Sequence, residues 1–166
     1  ALQIIYQSDV FSLLVPQVRA NLVCCGETGS TLHDVAGIPG RITIIDGKAR
    51  SLIGPRFGAS THTASILLEM RSIWYSARAC LCLSGTPDIV KAAQKQKVRI
   101  VDLKHSESDP HRIAEYVKNN SSRTRSKANT GIHVPGGLGV EPVLYIFGPS
   151  ATDLGELSEQ MGKELV

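Results

Sequence analysis

"ACLCLSGTPDIVKAAQKQKVRIVDL", Ala79 to Leu103, decides the fold class. Ala79 to Leu83 is a short apolar run of the kind that forms a buried strand. Thr86 followed by Pro87 marks a helix start. The threonine suits the cap, and proline suits the first helical position, where its missing N–H has no intrahelical partner anyway. The helix runs to about Lys97, and Val98 to Leu103 returns as a second strand.

The same succession continues outward. Asp109-Pro110 repeats the cap-plus-proline signature and opens a helix to about Lys118. "NNSSRTRSKANT" reads as a polar loop with three basic residues. "GIHV" and "VLYIFG" read as strands on either side of the glycine loop "PGGLGVEP", and Ser150 or Thr152 starts a C-terminal helix. Upstream, Leu13 to Val15 and Asn21 to Cys25 are apolar segments flanking Pro16. "RITIIDGKARSLI" predicts a hairpin, because Asp46-Gly47 favours a type I′ turn between two β-rich runs. Ser60 or Thr61 can cap a helix carrying Ala64, Leu67, Leu68 and Ile73 on its inner side. Strands alternating with helices imply a layered α/β domain, and the hairpin implies a mixed sheet. No internal repeat is visible.

Composition narrows the function classes. The chain has 166 residues, enough for one domain with a sizeable core. Hydrophobic content of 42% and charged content of 20% exclude a disordered chain. A net charge of +3 is too small to argue nucleic-acid binding for this chain, but it suits a small anionic ligand. Cys24, Cys25, Cys80 and Cys82 lack zinc-site spacing and sit in apolar company, so they read as free thiols in a reducing cytoplasm. No signal peptide is visible, and no apolar run approaches the roughly 20 residues of a membrane span. "ALQIIYQSD" lacks an initiator methionine and reads like the last turns of a helix. Residues 1–166 are therefore expected to form a single domain from the C-terminal part of a longer protein.

Three segments carry candidate chemistry. In "GPRFGASTHTASILLEM", Gly58, Ala59 and Ser60 are small enough for backbone N–H groups to approach an anion. The helix behind them has a positive N-terminal end, and Arg56 adds a planar fork suited to phosphate. His62 falls in the first turn, where the helix dipole disfavours its charged form. The same stretch reads equally well as an ordinary capped helix. In "DVAGIPGRI", Gly37, Pro39 and Gly40 make a stiff turn that delivers Arg41 to the start of a strand, or simply a loop into the hairpin. In "PGGLGVEP", Gly136, Gly137 and Gly139 mark close approach by a ligand or by backbone. Glu141 there is expected to be partly buried and therefore partnered. The loop lacks G-x-G-x-x-G spacing and leads into a strand, so it is no nucleotide fingerprint. His33, His105, His111 and His133 show no ligand spacing and read as surface or structural.

Together and in this order, these segments resemble the ThiN-type thiamine-phosphate synthase family. "LLVPQVRANLV" resembles its opening proline-valine-asparagine segment. "DVAGIPGRI" matches its signature closely, "RFGASTHTA" its glycine-serine-histidine turn, and "GVEPVLYIFG" its glycine-glutamate-proline strand. The resemblance implies a three-layer α/β/α domain with a mixed sheet, similar to class II aldolase-like domains. It implies a ligand site drawn from Asn21, Arg41, Arg56, Phe57, Gly58, Ala59, Ser60, Thr61, His62, Gly136, Gly137, Leu138, Gly139 and Glu141. Arg41 and His62 fall on the family's important arginine and histidine, and would be catalytic if the domain is active.

Active members join hydroxymethylpyrimidine diphosphate to thiazole phosphate, releasing diphosphate. Other members are effector domains of archaeal helix-turn-helix regulators and bind thiamine phosphate without making it. Departures from the enzyme pattern point to the regulator branch. Val134, Pro135, Gly136 and Gly137 stand where the resemblance leads one to expect aspartate-arginine-glycine-aspartate. Val140 stands for a lysine and Cys82 for an asparagine, and the acid-rich segment is thinned to "LKHSESDP". Truncating one member of a buried charge pair costs about 2–5 kcal/mol, so several losses together would cripple turnover. The sensor reading implies no cofactor and no metal site, with thiamine phosphate as the ligand. It implies contact with DNA only through a preceding domain, and a homodimer matching paired half-sites. The synthase reading implies magnesium and the two precursors.

Overall fold

The computed structural model describes residues 1–121 and 129–166; the basic part of the "NNSSRTRSKANT" loop lies outside the described residues. In chain order the elements are α1 (Leu2–Gln7), a 3₁₀ turn (Phe11–Leu14), β1 (Asn21–Cys25), a second 3₁₀ turn (Leu32–Asp34), β2 (Val35–Gly37), β3 (Thr43–Ile45), β4 (Lys48–Arg50) and β5 (Arg56–Phe57). The second half is α2 (His62–Arg71), β6 (Ala79–Ser84), α3 (Pro87–Lys95), β7 (Arg99–Asp102), α4 (Pro110–Asn120), β8 (Thr130–Val134), β9 (Val143–Gly148) and α5 (Ala151–Lys163).

Seven strands form one sheet in the order β5-β2-β1-β6-β9-β8-β7. Among the described residues only β7 and β8 pair in parallel; the other neighbours in the sheet are antiparallel. The sheet is therefore mixed, but not for the reason expected. Asp46 and Gly47 do adopt the positive φ values of a type I′ turn, 50° and 74°. Their hairpin, β3 with β4, forms a separate two-stranded sheet. The parallel pair comes instead from the crossover through α4, since parallel neighbours need a long connection.

Side chains alternate across the central strands and so build two cores. Leu81, Leu83, Leu144 and Ile146 face a cluster with Ile5, Phe11, Ile89, Leu154 and Met161, drawn from α1, the first 3₁₀ turn, α3 and α5. Cys80, Cys82, Tyr145 and Phe147 face the opposite cluster with Ala64, Leu67, Met70, Ile113 and Val117, drawn from α2 and α4. The result is the three-layer α/β/α arrangement. The hairpin packs its Ile44 and Ala49 onto the α1 side. Leu67 is fully buried, and its truncation to alanine is worth about 2–5 kcal/mol.

Helix starts follow the sequence with one class of exception. Asp109 accepts from the Arg112 N–H and Ser150 from the Asp153 N–H, as capping residues do. Thr61 and Thr86 occupy cap positions without a side-chain cap bond. Thr61 already has helical dihedrals (φ −83°, ψ −50°), not the extended ones typical of a capping residue. Gly85 lets β6 leave the sheet beneath the β9 entry: a Cβ there would lie 2.7 Å from the Val143 nitrogen. Among the described residues, no helix is long and apolar enough to cross a membrane.

Candidate functional site

Three connections converge at one end of the central strands and enclose a cleft of about 600 Å³. They are the Gln17–Arg19 segment before β1, the Ile38–Arg41 turn after β2, and the Ala59–Thr61 segment leading into α2. An adjoining cavity of about 290 Å³ reaches down to Cys82, Val143 and Tyr145 and shares Arg19, Asn21, Arg41 and His62 with the first. The floor follows from strand register. Asn21 pairs with Cys82 across β1 and β6, and Cys82 pairs with Tyr145 across β6 and β9. One row across an antiparallel sheet puts all three side chains on the α2 face.

Arg41 reaches the cleft by backbone design. Its N–H closes a turn onto the Ile38 carbonyl at 3.0 Å, while Gly40 and Arg41 both sit at positive φ, 72° and 68°. The Arg41 guanidinium donates to the Val18 carbonyl at 2.5 Å. Arg19, also left-handed at φ 71°, donates back to the Gly40 carbonyl at 3.4 Å. The two turns are further tied by the Ala20–Ile42 bridge. A non-glycine residue in this region is strained by about 1–2 kcal/mol. Two such residues are arginines, and both line the same cleft; strain of this kind clusters where function over-determines the backbone.

Glu141 organises the third side of the first turn. One oxygen accepts the Gln17 N–H at 2.9 Å and the other the Val18 N–H at 2.6 Å. The carboxylate is half-buried and partnered, as expected, and its partners are backbone amides. Asn21 is buried, and its side-chain oxygen accepts the Ile38 N–H at 3.2 Å, so it holds the Arg41 turn from below.

His62 opens α2 and is half-buried. Its Nε2 lies 3.0 Å from the Tyr145 hydroxyl. Burial, and then the nearby Arg41 charge, hold its pKa below the ordinary 6.5. The imidazole is therefore neutral near pH 7. Burial, followed by the adjacent thiols of Cys82 and Cys80, pushes the Tyr145 phenol up. Burial pushes the Cys82 thiol up to about 12. The cleft thus combines two cationic forks, a neutral imidazole and two protonated weak acids. Such a set of groups suits the binding of an anion. No group of three or more His, Cys, Asp or Glu that could hold a metal occurs among the described residues.

The structure brings Asn21, Arg41, Ala59, Ser60, Thr61 and His62 to this cleft. It does not bring Arg56, Phe57 and Gly58, which do not line it. Arg56 and Phe57 are exposed in β5, paired with β2 at the sheet edge, and the Gly58 N–H is committed to the Val35 carbonyl at 3.0 Å. The glycine loop divides likewise. Gly139 and Glu141 line a neighbouring cavity of about 460 Å³ with Gln17, Val18 and Tyr145. Gly136, Gly137 and Leu138 do not line it: Gly137 bridges Val140 in a tight turn that leaves Leu138 fully exposed. Residues at the site beyond the expected set include Gln17, Val18, Arg19, Ile38, Thr63 and Tyr145. Arg19 had a legible signal, because it precedes a strand after a proline turn much as Arg41 does.

Other histidines are engaged elsewhere. His133 bridges Asp102 at 2.9 Å and the Gly85 carbonyl at 3.1 Å, and His111 faces Glu69 on the surface. All four cysteines are free; Cys80 and Cys82 are buried, Cys24 and Cys25 half-buried.

A family model described as "Thiamine-phosphate synthase ThiN" matches residues 1–160. The chain belongs to the ThiN family. A curated relative, "Thiamine-phosphate synthase ThiN" of Methanothermobacter thermautotrophicus, is 25% identical over 169 aligned positions, covering 95% of this chain and 86% of the relative. Among solved structures, the C-terminal domain of a phosphomethylpyrimidine kinase superposes with a TM-score of 0.71 at 19% identity, covering 97% of this chain and all of the other. A second C-terminal-domain structure reaches a TM-score of 0.76 at 21% identity, covering 97% and 94%. These two similarities show a shared fold. Within this ThiN chain, Arg41 and His62 lie 21 positions apart in sequence yet line the same cleft.

Proposed function

We propose that the Arg41–His62 cleft binds thiamine phosphate, and that the domain acts as its sensor rather than its synthase. One observation carries the ligand half: two left-handed arginines, a neutral histidine and the N-terminal end of α2 line one cleft. Such a set supplies donors and positive charge to a phosphate. The non-catalytic half rests on what surrounds it. Turnover must hold a leaving diphosphate and screen its charge. Val134, Gly137 and Val140 offer no charge for that task, and both oxygens of Glu141 are committed to backbone amides. These losses support a reading in which the cleft binds a finished phosphate ester without turning over a magnesium–diphosphate. In a regulator, DNA would be reached through another domain, and pairing of two copies would match paired half-sites.

A second reading is favoured by a specific observation. The matching family model and the curated relative both bear the name of a synthase. On that reading Arg41 stabilises the departing diphosphate and His62 orients the pyrimidine or moves a proton. A turnover assay with both precursors and magnesium separates the two. The sensor reading expects saturable thiamine phosphate binding with little or no product. Product formed at about 1 per second or faster, an ordinary enzymatic rate, would replace it with the synthase reading.

A further inference from the structure

We infer that Tyr145 is a positioning residue that fixes the tautomer of His62, so that the imidazole presents an Nδ1–H donor to the cleft. The inference deepens the ligand reading above and rests on it only for what the donor is used for.

The argument is a count of protons along one buried row. Tyr145 is 5% exposed, and its hydroxyl meets His62 Nε2 at 3.0 Å. Its cross-strand neighbour is Cys82, which lines the same cavity. A phenol has one proton to give. An imidazole nitrogen is a far better acceptor than a thiol sulfur, which is weak both as donor and as acceptor. The phenol therefore spends its one proton on His62 Nε2 and not on the Cys82 sulfur. With Nε2 accepting, the proton of a neutral histidine must sit on Nδ1.

Nδ1 is where the cleft needs it. Among the described residues no side-chain nitrogen or oxygen is both buried and unpaired. Nδ1 has no protein partner in the hydrogen bonds of the described residues, so it opens to the cleft that His62 lines beside Arg41. A phosphate oxygen at that point would accept from an imidazole N–H and a guanidinium together. In the opposite tautomer a lone pair would face it and repel it.

The test is nitrogen-15 NMR of the free protein, with the His62 ring assigned through a His62→Gln variant. The expected spectrum shows His62 predominantly in the Nδ1–H form, and Tyr145→Phe shifts it toward the Nε2–H form that free histidine prefers. A wild-type ring already in the Nε2–H form, or a tautomer unchanged in Tyr145→Phe, overturns the inference. Calorimetry with thiamine phosphate reads the consequence. Tyr145→Phe should weaken binding about tenfold, equivalent to about 1.4 kcal/mol, with thermal unfolding as a check that the fold persists. Unchanged affinity in a folded Tyr145→Phe variant overturns the positioning role. Failure of the wild type to bind thiamine phosphate would instead overturn the ligand reading, and the spectrum would still decide the tautomer.

Discussion

Arg41→Ala isolates the interaction on which the ligand reading depends most. Alanine at this position bears the same left-handed backbone cost as arginine, so the comparison is between side chains. The guanidinium is exposed and spends one N–H on the Val18 carbonyl, leaving the rest of its five donors for a ligand. Water can replace it at Val18, so stability should change by no more than about 0.5 kcal/mol. A hydrogen bond to a charged group is worth about 1.5–3 kcal/mol, which predicts a Kd for thiamine phosphate raised about 10- to 150-fold. Isothermal titration with thiamine phosphate and with unphosphorylated thiamine is the assay. The loss should be confined to the phosphorylated ligand, and Arg41→Lys should recover part of it, since charge remains but the fork is gone. An unchanged Kd, or equal losses for both ligands, would refute phosphate recognition by Arg41.

Arg19→Gly relieves a strained left-handed residue but removes a cationic fork from the cleft. It should unfold in denaturant no earlier than wild type while binding thiamine phosphate more weakly; a clear loss of stability with intact affinity would reverse the assignment. Glu141→Ala frees the Gln17 and Val18 amides. Hydrogen exchange at those two amides should accelerate and affinity fall, with a stability change of about 1 kcal/mol or less because the bonds are exposed. His62 has a native pKa below its unfolded value of 6.5, so acid protonates the unfolded state first. Its contribution to stability is complete above 6.5 and is lost as pH falls through the native pKa. His62→Gln should therefore lose less stability than wild type on going from about pH 7.5 to about pH 5; an identical slope would contradict a neutral, half-buried imidazole.

The layered α/β class was legible because its signals are local. Pro87 and Pro110 announce helix starts, and Asp46-Gly47 announces its turn, each through the dihedral it prefers. Sheet membership was not legible: whether the β3–β4 hairpin joins the main sheet depends on packing against α1, which no local pattern encodes. The same limit explains the site. Arg41 and His62 stand beside turn residues that mark them, whereas Tyr145 is one apolar-looking position in "VLYIFG" until register sets it beside Cys82. Arg56 lies outside the cleft for the converse reason. It is near His62 in sequence, but Gly58, with its N–H held by Val35, places it on the sheet edge instead of in the cleft.

A crystal structure of the domain with thiamine phosphate tests the central claim most directly. The account predicts phosphate oxygens within hydrogen-bonding distance of the Arg41 guanidinium and His62 Nδ1, beside the first turn of α2. Clear ligand density elsewhere on the molecule, with the Arg41–His62 cleft holding only solvent, would contradict it.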